Sequence, residues 1–274
     1  MVDLRDRVAR ELHNLLRRAG LDNPWSDRAG ASTRWLHSDG VLYEAARVRL
    51  HRELVEQQRA TSAPALSGRL AVVITAGVPG AGKSSAIAAD PRLAAFRDID
   101  ADDFKDPLLL DAEAAGLLAA WTGTTLADGR PVALRELSGF VHAESTAVAD
   151  AMRQACFADG ENVVIHGTLA SVQYLDDLLG ELDDYGYDDI IVYDVEVSAG
   201  QAVEQALARW WACRTDDAER LGGRFVPPAA IRGYYPAGSS RSITAANAQM
   251  LAHRAEEMGW SVDLRVVDAV ARAT

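Results

Sequence analysis

Apolar residues early in the chain are spaced for a helix. Leu4, Val8, Leu12, Leu15 and Leu16 recur at three- and four-residue steps, and Gly20 stands where such a helix would end. A loop around Asn23-Pro24-Trp25 separates it from a second predicted helix, Val41 to Gln58, with Leu42, Ala46, Leu50 and Leu54 on one side. The breaker cluster Thr61-Ser62-Ala63-Pro64 marks a boundary, so residues 1–65 are expected to form a helical N-terminal extension and 66–274 a separate domain.

Beyond the boundary the period changes. Leu70–Ala76 (LAVVITA) is short, apolar and β-branched, as befits a strand covered on both faces. Asn162–Ile165, Ile190–Val197 and Val262–Val267 repeat the pattern, and Phe96–Ile99 does so more weakly. Helical patterns at Lys83–Ala89, His142–Phe157, Ser171–Leu182 and Gln201–Cys213 fall between them. Strands alternating with helices predict βαβ crossovers and a parallel α/β sheet of about five strands. Asp106–Phe140 reads as partly helical, with a loop at Asp128-Gly129.

Composition narrows the possibilities. The 274 residues are 49% hydrophobic and 25% charged, enough to bury a real core. Forty acidic against 28 basic side chains give a net charge of −12, which argues against a nucleic-acid partner. No run approaches the ~20 apolar residues of a membrane span. The first twenty residues are charged throughout and lack the apolar region of a secretory signal. Two cysteines, Cys156 and Cys213, support neither a disulfide framework nor a zinc site, and a cytoplasmic location is expected.

The chemistry is concentrated in Gly77-Val78-Pro79-Gly80-Ala81-Gly82-Lys83-Ser84, followed by Ser85, which fits G-x-x-x-x-G-K-[ST] at every defined position. In that motif backbone N–H groups cradle a phosphate chain, the lysine reaches the β- and γ-phosphates, and the serine ligates Mg2+. Its setting, after a buried strand and at the start of a helix, suits the reading. The chain has only two lysines, Lys83 and Lys105, and no Asn-Lys-x-Asp guanine-reading motif, which argues against a guanine-specific GTPase. The next strand ends in Arg97-Asp98-Ile99-Asp100-Ala101-Asp102. Carboxyl ends of parallel strands face the ligand crevice, which would aim Asp100 at the γ-phosphate. There a carboxylate could take the proton of an attacking hydroxyl; a solvated strand end or a water-mediated Mg2+ ligand is the plainer alternative.

GVPGAGKSS, IDADDFKD, VHAESTAVADAM, NVVIHGT and ALARWW…GGRFVPPAAI together resemble, in order and spacing, the zeta toxin family over about Leu66 to Ile231. The resemblance implies a P-loop NTPase three-layer sandwich, similar to adenylate kinase-like enzymes. It also implies a toxin that uses ATP and Mg2+ to phosphorylate a sugar hydroxyl of UDP-N-acetylglucosamine, and an antitoxin partner that obstructs the ATP site. By position it implies Asp100 as base, with Asp102 the next carboxylate of the same signature. Arg209 and Arg224 would be lid arginines that neutralise charge on the transferring group. His142, Glu144, Asp150, His166 and Thr168 would face the sugar nucleotide. Two departures stand out. His166 replaces the usual acidic residue before Gly-Thr, and Ala170 stands where some members carry a substrate-contacting arginine. A kinase with another hydroxylated acceptor is thus an alternative, as is a non-catalytic nucleotide-binding protein whose helical N-terminus docks a partner. The same N-terminus could instead obstruct the ATP site or simply pack.

Overall fold

Ala71–Ala76 (β1) is buried at every position, and a strand without a wet face must lie inside a sheet. The computed structural model describes residues 3–23, 32–63 and 69–268. Its elements run α1 (Leu4–Ala19), α2 (Thr33–His37), α3 (Ala45–Arg59), β1, α4 (Lys83–Ala88), β2 (Arg97–Ile99), α5 (Ala101–Ala114), α6 (Ala119–Thr122), α7 (His142–Ala158), β3 (Val163–Ile165), α8 (Val172–Tyr185), β4 (Asp189–Glu196), α9 (Ala199–Thr215), α10 (Pro228–Arg232), α11 (Ile243–Glu257) and β5 (Ser261–Asp268).

The five strands pair in parallel in the order β2-β3-β1-β4-β5, with helices on both sides, which is the α/β architecture expected from the alternation. From β1 the chain passes through α4 to β2 on one side, whereas β4 lies on the other. The strand order therefore reverses at the carboxyl end of β1, where open α/β sheets bind ligands. Asn162 pins the start of β1, its Oδ1 accepting from Ala71 N at 3.0 Å.

The described residues form two compact units, each assembled from three segments. One contains residues 59–100, 151–206 and 228–274, and so holds the whole sheet. The other contains residues 1–58, 101–150 and 207–227, so α1 and α2 share a unit with α5 and α6.

In the helical unit α1 buries Val8, Leu12 and Leu16 and ends at Gly20, whose φ of 77° is the left-handed cap the sequence suggests. The second predicted helix departs from expectation at its start and its face. Asp39 Oδ1 accepts from Val41 N and Leu42 N at 2.9 and 2.7 Å, closing a turn that keeps both residues out of the helix. Val41 and Leu42 are exposed, α3 begins at Ala45, and its buried residues are Arg47 and Leu54. An ionic contact, described below, outweighed the apolar stripe. The Asn23-Pro24-Trp25 loop and the proline of the breaker cluster lie partly or wholly outside the described residues.

Helix α11 has no counterpart among the predicted helices. It packs on β4, β5 and β1 and buries Ala245, Ala248, Leu251, Ala252 and Ala255, four of them alanines too small to make a strong apolar signal. Among the described residues no helix is long and apolar enough to cross a membrane.

Candidate functional site

In the sheet unit, the loop after β1 is shaped by its glycines. A Cβ on Gly80, at φ 89°, would lie 2.3 Å from the Ala202 carbonyl oxygen, and one on Gly77 would lie 2.6 Å from that of Val195. No other residue fits at either position, so the loop draws its backbone tight against β4 and α9. Lys83 Nζ donates to the Gly77 and Val78 carbonyls at 2.7 and 3.2 Å, holding its charge over the loop. Ser84 and Ser85 are exposed at the start of α4. A glycine cradle, a lysine over it and an exposed hydroxyl next to the lysine form a donor set that fits a polyphosphate and a hard, oxygen-seeking cation.

Asp100 follows β2 in the same unit. The residues after β3 are fixed one by one. His166 N donates to Ile99 O at 3.0 Å, and His166 Nε2 lies 2.9 Å from Asp98 Oδ1. Gly167 N donates to Thr75 Oγ1 at 2.9 Å, and Gly77 N donates to Thr168 O at 3.3 Å. Thr168 is thereby tied through its backbone to the first glycine of the phosphate loop. Burial pushes the neighbouring Tyr234 phenol up, while the Thr168 side chain pulls it down.

The helical unit gathers a second set of predicted residues around Asp102. Lys105 Nζ is 2.6 Å from Asp102 Oδ1, and Arg224 Nη1 is 3.7 Å from Oδ2. Arg224 Nη2 also donates to the Asp102 carbonyl at 2.7 Å and to Asp106 Oδ1 at 3.1 Å. Arg135 braces Asp106 in turn, with Nη2 at 2.7 Å. Burial raises the Asp102 carboxyl, but the Lys105 and Arg224 charges outweigh it and hold the group at about 2. His142 shares these surroundings; burial and the Lys105 charge push its imidazole down to about 4 against the pull of Asp102. It is neutral at pH 7.

The paired glycines of GGRF explain how Arg224 is placed. A Cβ on Gly223 would lie 2.5 Å from the Trp210 carbonyl, so the loop lies directly on α9. Beneath it, Trp210 Nε1 donates to Glu136 Oε1 at 2.7 Å, and Arg214 bonds both Glu136 and Asp128. Arg209, next to buried Trp210 on α9, is exposed. Asp150 is half-buried on α7.

Glu144 departs from the substrate-facing expectation. It is wholly buried: Arg47 donates to both its oxygens, one at 2.9 Å, and His51 Nε2 lies 2.6 Å away. Burial raises its carboxyl, but the bonds from His51 and Arg47 win and hold it at about 2. The carboxylate is committed to α3, because a buried charge must be paired where it stands. Lys105 and Arg135 are the residues that sequence reasoning missed. Lys105 had a signal in being one of only two lysines, whereas Arg135 is one of many arginines and had none.

Residues 129–258 match the zeta toxin family model. The match spans a little under half of the chain. The match contains His142, Glu144, Asp150, His166, Thr168, Arg209 and Arg224; the phosphate loop and Asp100 precede it. No curated protein matches the chain. Among solved structures, a chain of AvrRxo1-ORF1:-ORF2 crystallised with ATP is similar, with a TM-score of 0.57 and 14% identity over 89% of this chain and 70% of that one. A chain of the PezAT chromosomal toxin–antitoxin system of Streptococcus pneumoniae scores 0.55 at 13% identity, covering 83% of this chain and 78% of that one. At these identities the likeness establishes the fold alone, which in this chain is the five-stranded parallel sheet.

Proposed function

We propose that the chain is an ATP-dependent kinase that moves the γ-phosphoryl group to a hydroxyl of a sugar nucleotide, UDP-N-acetylglucosamine first among them, and so acts as a growth-inhibiting toxin. The observation that carries the reading is the phosphate loop, whose Gly77 and Gly80 admit no side chain and whose lysine lies over it. Lys83 would follow the β- and γ-phosphates, and Ser84 would hold Mg2+, which when bound neutralises and orients the phosphates. Asp100 would accept the acceptor's proton, while Arg224 and Arg209 would offset charge on the equatorial oxygens during transfer. Thr168, Asp150 and His142 would contact the acceptor, the neutral imidazole of His142 serving as a hydrogen-bond partner without a charge.

A second assignment of the base is favoured by one observation: Lys105 and Arg224 converge on Asp102. Its carboxyl, held at about 2, is ionised and so able to accept a proton, though weakly basic. The altered turn, with His166 paired to Asp98 and no arginine at Ala170, supports the variant reading of a different hydroxylated acceptor. The likeness in fold to a chain of the PezAT toxin–antitoxin system supports an antitoxin partner for this protein.

Incubation with ATP, Mg2+ and a panel of sugar nucleotides tests the reading, with a mass gain of one phosphate as the readout. Asp100→Asn should abolish transfer while leaving ATP affinity unchanged. If transfer survives in Asp100→Asn and is lost in Asp102→Asn, the base is Asp102. If the wild-type protein phosphorylates nothing, the kinase reading fails.

A further inference from the structure

Among the described residues, Leu169 is the only non-glycine with a left-handed backbone, at φ 55°. A branched side chain disfavours that conformation, so it persists only where its surroundings impose it. Here the surroundings are explicit. Leu169 is 3% exposed, its side chain held in the core. Its carbonyl accepts from Nδ2 of Asn247 at 2.8 Å, and Asn247, on α11, is itself buried. Glycine would suit the backbone but would give up the packing, and an apolar residue at 247 would give up the donor.

The strained residue directly follows Thr168. Each residue of the turn has its own anchor: His166 on β2, Gly167 on Thr75 of β1, Thr168 on Gly77, and Leu169 on Asn247. The Asn247 contact is the only one of the four supplied from a helix side chain. Without it, Leu169 would relax to negative φ, and the rotation would carry the Thr168 side chain with it.

We infer that Asn247 is a positioning residue for the acceptor: by bonding the Leu169 carbonyl it keeps the turn in its strained form and the Thr168 hydroxyl in its working place beside the phosphate loop. The inference rests on the kinase reading for what Thr168 contacts, but the positioning itself can be measured apart from turnover.

Asn247→Ala should speed amide hydrogen exchange at Gly77 and across residues 166–170, with β4 and β5 unchanged. It should also raise the acceptor KM about tenfold, the loss of one buried hydrogen bond, while the ATP KM stays within about twofold. Asn247→Gln, which keeps an amide donor, should lose less of the acceptor KM than Asn247→Ala. Unchanged exchange in Asn247→Ala would overturn the inference, as would acceptor and ATP KM rising together. If the wild-type protein transfers to no acceptor, the kinase reading is lost, and the exchange measurement alone still decides whether Asn247 holds the turn.

Discussion

Arg47→Ala should be among the most destabilising single changes in the helical unit. Arg47 and Glu144 are 6% and 0% exposed, and the arginine serves both oxygens of Glu144 and also Asp111. Truncation would leave a buried carboxylate without its guanidinium, the His51 ring still beside it, and breaking a buried pair in this way costs about 3–5 kcal/mol. The bonds from His51, Arg47 and Thr33 together hold the carboxyl at about 2 against its burial, so Arg47 is one of several groups that stabilise the charge. In a chain of this length the loss should lower the melting temperature by roughly 6–20 °C. The sign with pH follows from the depressed value. The Glu144 contribution is fully present above pH 4.5 and is lost as pH falls towards 2, so the variant should show a shallower acid decline than the parent. Urea unfolding at pH 7 and pH 4 measures both effects. Arg47→Met with Glu144→Leu removes both charges and should recover most of the loss, because apolar residues of similar size pack without a desolvation cost. A loss below about 1 kcal/mol in the single variant, or a double variant no better than the single, would refute the reasoning.

Three further outcomes follow from the geometry. Gly80→Ala places a Cβ 2.3 Å from the Ala202 carbonyl, so binding of a fluorescent ATP analogue should fall at least about tenfold; unchanged affinity would refute the steric account. Native His142 titrates near 4 rather than 6.5, so stability should fall as pH drops through that window, and His142→Gln should flatten this part of a pH–melting curve. Deleting residues 1–60 removes Arg47, His51 and the buried face of α1, so the melt should lose cooperativity. A folded product with raised ATP turnover would show instead that the N-terminus restrains the enzyme.

The short apolar runs decided the sheet in advance, because a strand buried on both faces can be built only from residues such as those of Ala71–Ala76. The phosphate loop was equally legible, since its glycines answer a steric demand that any chain making this turn must meet. Tertiary structure alone decided the rest. The inward face of α3 is set by Arg47, and periodicity does not foresee a buried arginine, because its partner Glu144 lies 97 residues away. Alanine-rich α11 declares itself only against the sheet it covers. The left-handed Leu169 is invisible locally, for no leucine prefers that conformation until a distant asparagine holds its carbonyl. Short-range sterics and burial patterns can be read along a chain; which charge meets which, and which strained residue is held, depends on neighbours that only folding brings together.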